Sequence, residues 1–267
     1  MGTKRIKVGV FGAGGRMGAT VCAAVAAAPD LDLVAAVDPY HAGIDLQQLG
    51  VPDTGLRVAR SADELTDAGA EVAVDFTVVD AARENVRWCA EHGVHAVVGT
   101  TGFSDEDMDD LRTRFEAAST NVVIAPNFAI GAVLMMRFAE IAAPYFETAE
   151  VIELHHDEKI DAPSGTAMLT AQRMADRSDE WAPDPTEKTV AEGARGGSGP
   201  GGIRIHSVRL RGLVAHQEVL LGTTGQSLSI RHDSYDRTSF MPGVLLAVRA
   251  ISARPGITIG LDGLLDA

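Results

Sequence analysis

Two adjacent histidines, His155 and His156, are followed by Lys159 and then by the turn Pro163-Ser164-Gly165-Thr166. Imidazole titrates near neutral pH, so either histidine is a candidate for proton transfer. Lys159 adds a compact positive charge suited to a carboxylate. Ser164 stands where an N-cap would open the alanine-rich helical pattern that follows. The amides of Gly165 and Thr166, with the Thr166 hydroxyl, then make an anion site at a helix N-terminus. Together these groups describe a carboxylate pocket with a proton donor beside it. Taken singly, a histidine here reads equally as a satisfied core imidazole, and Lys159 as a solvated surface cation. Neighbouring residues on a strand point to opposite faces, so one imidazole faces the cleft and the other is directed elsewhere. A zinc site is disfavoured, because two adjacent histidines and a competing ammonium are poor ligand spacing.

A second constellation lies near the N-terminus, in V-G-V-F-G-A-G-G-R-M-G. Gly12, Gly15 and Gly18 recur every third residue, and Met17 stands where the commoner dinucleotide fingerprint has its last glycine. Glycines there let the chain turn sharply and bring a pyrophosphate onto helix amides. Without a ligand the same run is a tight turn. Asp38 ends the second strand-like run, where a carboxylate can accept from the adenosine ribose hydroxyls. Turn and acid together predict dinucleotide binding. Gly99-Thr100-Thr101-Gly102 and Ala125-Pro126-Asn127-Phe128 follow two further apolar runs. In open parallel sheets ligands gather at such strand ends, which marks both segments for the nicotinamide end of the cofactor.

The elements that must hold these groups form two sets. Over residues 1–128, short apolar runs alternate with helical patterns, which predicts a parallel sheet covered on both faces. After residue 128 the pattern changes: a helix at 131–146 leads into a strand-like run at 149–156 that reaches the histidines, a helix follows at 165–177, and runs at 203–210, 215–223 and 227–233 cluster without helices between them. These predict a largely antiparallel or mixed open sheet. Residues 178–202, rich in proline and glycine, read as a long mobile loop. A helix at 241–253 and a short tail close the chain.

Bulk properties limit the partners. The formal net charge of −14 argues against nucleic acid, and it requires any anionic substrate to find a locally positive pocket. No apolar stretch is long enough for a membrane span. Cys22 and Cys89 lie inside helical patterns with no knuckle spacing, which points to a reducing cytoplasm and to no metal centre. They also sit badly for the cysteine nucleophile of a semialdehyde dehydrogenase. A non-catalytic nucleotide sensor would share the glycine turn and Asp38, but it has no use for the histidine–lysine cluster.

The stretch E-L-H-H-D-E-K-I-D-A-P-S-G-T-A, Glu153 to Ala167, closely resembles the signature of the 4-hydroxy-tetrahydrodipicolinate reductase (dihydrodipicolinate reductase) family of bacterial lysine and diaminopimelate biosynthesis. V-G-V-F-G-A-G-G-R-M-G, V-V-G-T-T-G-F, A-P-N-F-A-I-G and R-H-D-S-Y-D-R-T-S-F-M-P-G-V-L-L-A-V-R resemble its other segments, so the likeness spans nearly the whole chain. It implies an α/β chain with a Rossmann-like parallel-sheet nucleotide domain (1–128 and 238–267). The other domain (129–237) would be α+β, with an open mixed sheet for substrate binding and oligomerisation. It implies hydride transfer from NADH or NADPH to a small cyclic imine bearing two carboxylates. By the same resemblance His155 is the acid/base residue and Lys159 a proton donor, while His156, Lys159, Ser164, Gly165 and Thr166 contact substrate. The cofactor would touch Gly12, Ala13, Gly14, Gly15, Arg16, Met17, Asp38, Gly99, Thr100, Thr101, Ala125, Pro126, Asn127 and Phe128. Family members assemble as homotetramers through the open sheet, and such a sheet would otherwise leave an edge or face exposed.

Overall fold

The computed structural model describes residues 4–51 and 54–265. The chain divides into two compact units, 1–128 with 240–267, and 129–239. In the first unit β1 (Ile6–Phe11), α1 (Arg16–Ala27), β2 (Leu31–Val37), α2 (Asp63–Asp67), β3 (Val72–Asp75), α3 (Val79–His92), β4 (His95–Val98), α4 (Asp105–Ala117) and β5 (Val122–Ile124) follow in order. After the second unit the chain returns as α7 (Met241–Ala250) and β11 (Ile257–Ile259).

All six strands of this unit are parallel, in the order β11-β5-β4-β3-β1-β2. The central strands are apolar throughout because both faces are covered: all four residues of β3 are buried, as are Val8, Val10 and Phe11 on β1. The helices start where their sequence tells them to. Ser104 and Asp107 form a reciprocal capping box at the head of α4. Gly15 caps α1 with extended backbone and no side chain, which keeps that helix end open. Two elements escape the sequence reading. The α2 segment is too short to show a helical period, and the tail supplies β11, whose Ile257 and Ile259 pair with β5 only because the fold brings them there.

The second unit contains α5 (Ile130–Ala142), β6 (Thr148–His155), α6 (Gly165–Arg177), β7 (Gly197–Ser198), β8 (Arg204–Arg209), β9 (Ala215–Thr223) and β10 (Gln226–Ser234). Its sheet runs β10-β9-β6-β8-β7. It is mixed, with β6 antiparallel to β9 and parallel to β8. Alternation places Val151 and Glu153 of β6 on the same face as Val219 and Gln217 of β9, and this is the face that α6 covers: Gln217 bonds to Thr170 of α6 at 2.7 Å. The opposite face carries ion pairs instead, Glu150 with Arg195 and His206, and Arg231 with Glu218 and Asp233. The proline- and glycine-rich stretch 178–202 is mostly irregular, but it is tied down rather than free. Ala182 donates to the Glu147 carbonyl at 2.8 Å, and Asp184 pairs with Arg204 at 2.7 Å. Among the described residues no helix is long and apolar enough to cross a membrane.

Candidate active site

The glycine turn of the first unit meets the demands of a pyrophosphate cradle. Gly12 has φ +71°, a conformation that side chains rarely adopt. Gly18 sits so close to the turn that a Cβ there would lie 2.0 Å from the Gly12 carbonyl oxygen. The amides of residues 12 to 15 serve the turn itself: Gly12 and Ala13 donate to the Val37 carbonyl, Gly14 to Asp38 and Gly15 to Gly12. The first intrahelical bond of α1 runs from Ala19 to the Gly15 carbonyl. Arg16 and Met17 therefore open the helix with amides that have no partner inside it, the arrangement that attracts an anion. Asp38, 7 % exposed, accepts from Gly14 at 3.1 Å and from Tyr40 at 3.0 Å, so it braces the turn from the end of β2. His41 lies over Gly14, with its Nδ1 3.1 Å from an Asp38 oxygen.

The other predicted cofactor segments collect at the carboxyl ends of β4 and β5. Thr100 is buried, and its hydroxyl donates to the Thr77 carbonyl at 2.8 Å. Ala13, Ala125 and Phe128 are also buried, so they support the strand ends from beneath. Thr101 and Pro126 are exposed and Asn127 half-buried. Phe76 is an addition that sequence reading missed. Its ring lies against Gly99 and packs on Phe128 at 5.6 Å between centroids. Both cysteines are buried, which pushes the Cys22 thiol up to about 12 and Cys89 higher still. Neither is a nucleophile.

The histidine turn lies in the second unit. His155 ends β6, half-buried, and His156 follows it outside the strand, exposed. Glu153 precedes His155 by two residues and so shares its face. Its carboxylate, fully buried, lies 2.5 Å from His155 Nδ1. Burial alone would raise Glu153, but the hydrogen bonds of Arg209, Ser207 and His155 outweigh it and hold the carboxyl below its usual range. Burial likewise holds His155 below the ordinary imidazole value. Glu153 opposes that shift, while Lys159 and Arg209 add to it.

Arg209 reaches this point from β8, where it stands beside His155 in the parallel register. Its guanidinium grips Glu153 with two bonds of 2.8 Å and also donates to the carbonyls of Lys159 and Asp161. Lys159 Nζ is 2.7 Å from both oxygens of Asp161. Ser164 caps α6 as its type predicts, accepting from Ala167 at 3.2 Å, and its own amide donates to Glu153. Gly165 is exposed at the first turn of α6 and Thr166 half-buried. His155 and the head of α6 are thus gathered around one buried carboxylate, and Arg209 ties the Lys159 backbone to it. A Glu two residues before a His on a strand is a readable signal. The partner Arg209 is not, because it depends on which strand pairs with β6.

Two family models match the chain: dihydrodipicolinate reductase, N-terminus, over residues 6–128, and dihydrodipicolinate reductase, C-terminus, over residues 131–265. A 4-hydroxy-tetrahydrodipicolinate reductase of Nocardia farcinica is 53 % identical over 266 residues, covering 98 % of this chain and 99 % of that protein. One of Cutibacterium acnes is 50 % identical over 266 residues, covering 97 % and 98 %. Among solved structures, a dipicolinate-bound dihydrodipicolinate reductase from Paenisporosarcina sp. TG-14 superposes with a TM-score of 0.85 at 40 % identity, covering 97 % of this chain and 99 % of that one.

Proposed function

The chain belongs to the dihydrodipicolinate reductase family, and from that premise we propose how its residues share the work of the reaction. The activity is the pyridine-nucleotide-dependent reduction of 4-hydroxy-tetrahydrodipicolinate to tetrahydrodipicolinate, in lysine and diaminopimelate biosynthesis. When bound, NADH or NADPH supplies the hydride. The chain supplies position, charge and a proton.

Arg16 and Met17 offer amides to the pyrophosphate, and Asp38 accepts from the adenosine ribose. The strand ends at Gly99–Thr101 and Ala125–Phe128 receive the nicotinamide. A carboxylate at Asp38 repels a 2′-phosphate, and neither Pro39, Tyr40 nor His41 is an arginine or lysine that would pair with one. NADH is therefore used at least as well as NADPH, with both accepted.

The substrate carries two carboxylates. One is held by the first turn of α6, through the amides of Gly165 and Thr166, with His156 and Lys159 completing the pocket. Substrate must compete with Asp161 for Lys159, whose ammonium already holds a carboxylate in this structure. This charge offsets the net −14 of the chain at the one place where an anion must dock. Once the C4 hydroxyl has left as water, hydride adds at C4 of the resulting conjugated ring and negative charge develops toward the ring nitrogen. His155 delivers a proton there, Lys159 stabilises the growing charge, and the enamine so formed tautomerises to the cyclic imine product.

The open face of the mixed sheet, lined by Glu150, His206, Glu218 and Arg231, supports assembly as a homotetramer. The cytoplasm is the compartment, because the two thiols are free and the nicotinamide and amino-acid pools are there.

One observation carries this reading: His155, Lys159 and the Ser164-capped helix converge on one turn. The test is a coupled assay with freshly generated substrate. Loss of the reduced-nicotinamide absorbance that depends on substrate supports the reading. Cofactor binding without turnover overturns it.

A further inference from the structure

We infer that Glu153 and Arg209 are a positioning pair that fixes the tautomer of His155 and the path of the turn carrying Lys159. This rests on His155 being the acid of the proposed reduction. The argument is a count of donors. A carboxylate offers only acceptors, and four N–H groups are aimed at Glu153 besides the Ser207 side chain. Oε1 receives Arg209 Nη2 at 2.8 Å and the Ser164 amide at 3.2 Å. Oε2 receives Arg209 Nη1 at 2.8 Å and His155 Nδ1 at 2.5 Å.

The side chain of Glu153 is fully buried, and the fork-to-fork geometry with Arg209 keeps it ionised and in place. An ionised carboxylate has no proton to give, so the hydrogen in the His155 contact belongs to Nδ1. Proton exchange with a ligand then passes through Nε2 alone. The arginine has a second task. With Nη2 on the Asp161 carbonyl at 2.6 Å and Nε on the Lys159 carbonyl at 3.3 Å, it pins the backbone of the turn on both sides of Ile160. One guanidinium thus couples the orientation of the imidazole to that of the ammonium.

The consequence is sharpest for Glu153→Gln, which keeps the shape and removes one acceptor. The amide oxygen is best placed at the Oε1 position, where Arg209 and the Ser164 amide both donate. The NH2 then faces His155 and donates to Nδ1, which forces the imidazole hydrogen onto Nε2. This is the wrong tautomer for a group that must pick up and deliver a proton at Nε2.

The experiment uses the full chain with histidine labelled in 15N, read by NMR above the imidazole titration. Wild type should show His155 as the Nδ1–H tautomer, and Glu153→Gln should show it as Nε2–H. Turnover of Glu153→Gln should fall about 100-fold or more, in line with the loss of a general acid. KM for substrate and Kd for NADH should stay within about threefold, because neither ligand-binding group is removed. The alkaline fall of kcat/KM should move to lower pH, since the carboxylate that favours the protonated imidazole is gone.

Glu153→Gln strands a cation against a neutral group. The double variant Glu153→Gln/Arg209→Met removes both charges and serves if the single variant does not fold. It too should be slow and lack the Nδ1–H signature. An Nε2–H imidazole in wild type would overturn the inference. So would turnover of Glu153→Gln within about threefold of wild type, or slow turnover with tautomer and pH profile unchanged. If wild type itself fails to oxidise NADH with substrate, the proposed reduction fails, and the tautomer reading is still decided by NMR.

Discussion

Replacing Gly18 with alanine tests whether the cofactor turn works by close approach of α1 to β1. A Cβ at this buried position would lie 2.0 Å from the Gly12 carbonyl oxygen, 2.6 Å from its carbon and 2.9 Å from Ala13 Cα. All three are backbone atoms of the turn, so no side chain can swing aside. The helix must retreat by roughly an ångström, or the turn must open. Overpacking of a well-filled site costs about 1–3 kcal/mol, and rigid backbone neighbours put this case near the top of that range. At about 2–4 °C per kcal/mol for a unit of this size, the melting temperature should fall by about 6–12 °C. The amides of Arg16 and Met17 move with the helix, so NADH affinity should fall by about tenfold or more. Gly15→Ala is the internal control. Its Cβ would meet one atom only, the Gly12 carbonyl oxygen at 3.3 Å, so its melting temperature should fall by clearly less than that of Gly18→Ala. Differential scanning fluorimetry and NADH fluorescence titration read both quantities. Gly18→Ala melting within about 2 °C of wild type and binding NADH within about threefold would refute the close-approach account.

Three further outcomes are expected. His155→Ala and Lys159→Ala should each slow turnover by about 100-fold or more while NADH affinity stays near wild type, because both residues belong to the second unit. Steady-state kinetics beside cofactor titration checks this, and near-normal turnover of either variant would remove its assigned role. Asp38→Ala should weaken NADH more than NADPH, since only NADH loses an acceptor without escaping a repulsion. A wild-type preference for NADPH of about tenfold, or ~1.4 kcal/mol, would defeat that reading of Asp38. Finally, the Arg249 bonds to Asp30 hold that carboxyl near 2, well below its unfolded value of about 3.9. A depressed carboxyl stabilises above its unfolded pKa and loses that contribution as pH falls toward its folded one. The melting-temperature deficit of Arg249→Met relative to wild type should therefore be full near pH 6 and shrink below about pH 4. A deficit independent of pH would contradict it.

Much of this molecule was legible from sequence because local patterns and fold agree. The apolar runs of β1, β3 and β4 can only be interior strands. Ser164 could be recognised as a cap from its type and from the helical period after it. The turn of Gly12, Gly15 and Gly18 announced itself through spacing. What stayed hidden depends on pairing at long range. Ile257–Ile259 looked like a tail because three residues carry no period, and only β5 beside them makes them a strand. Arg209 looked like one more charge on a strand until the parallel register of β6 and β8 set it against Glu153. The stretch 178–202 suggested a mobile loop by composition, yet Arg195 and Arg204 bind it to the sheet through Glu150 and Asp184. Phe76 gave no signal, since only the bare backbone of Gly99 across the strand end makes room for its ring.

The central claim is that a nicotinamide hydride is delivered to the ring of the dicarboxylate substrate. The most direct measurement is transfer from NADH carrying deuterium on both faces of the nicotinamide C4, with the substrate generated in light water and the product analysed by mass spectrometry. The account predicts one deuterium in tetrahydrodipicolinate, at ring C4, in step with each NADH consumed. Consumption of labelled NADH that leaves no deuterium in the product would contradict it.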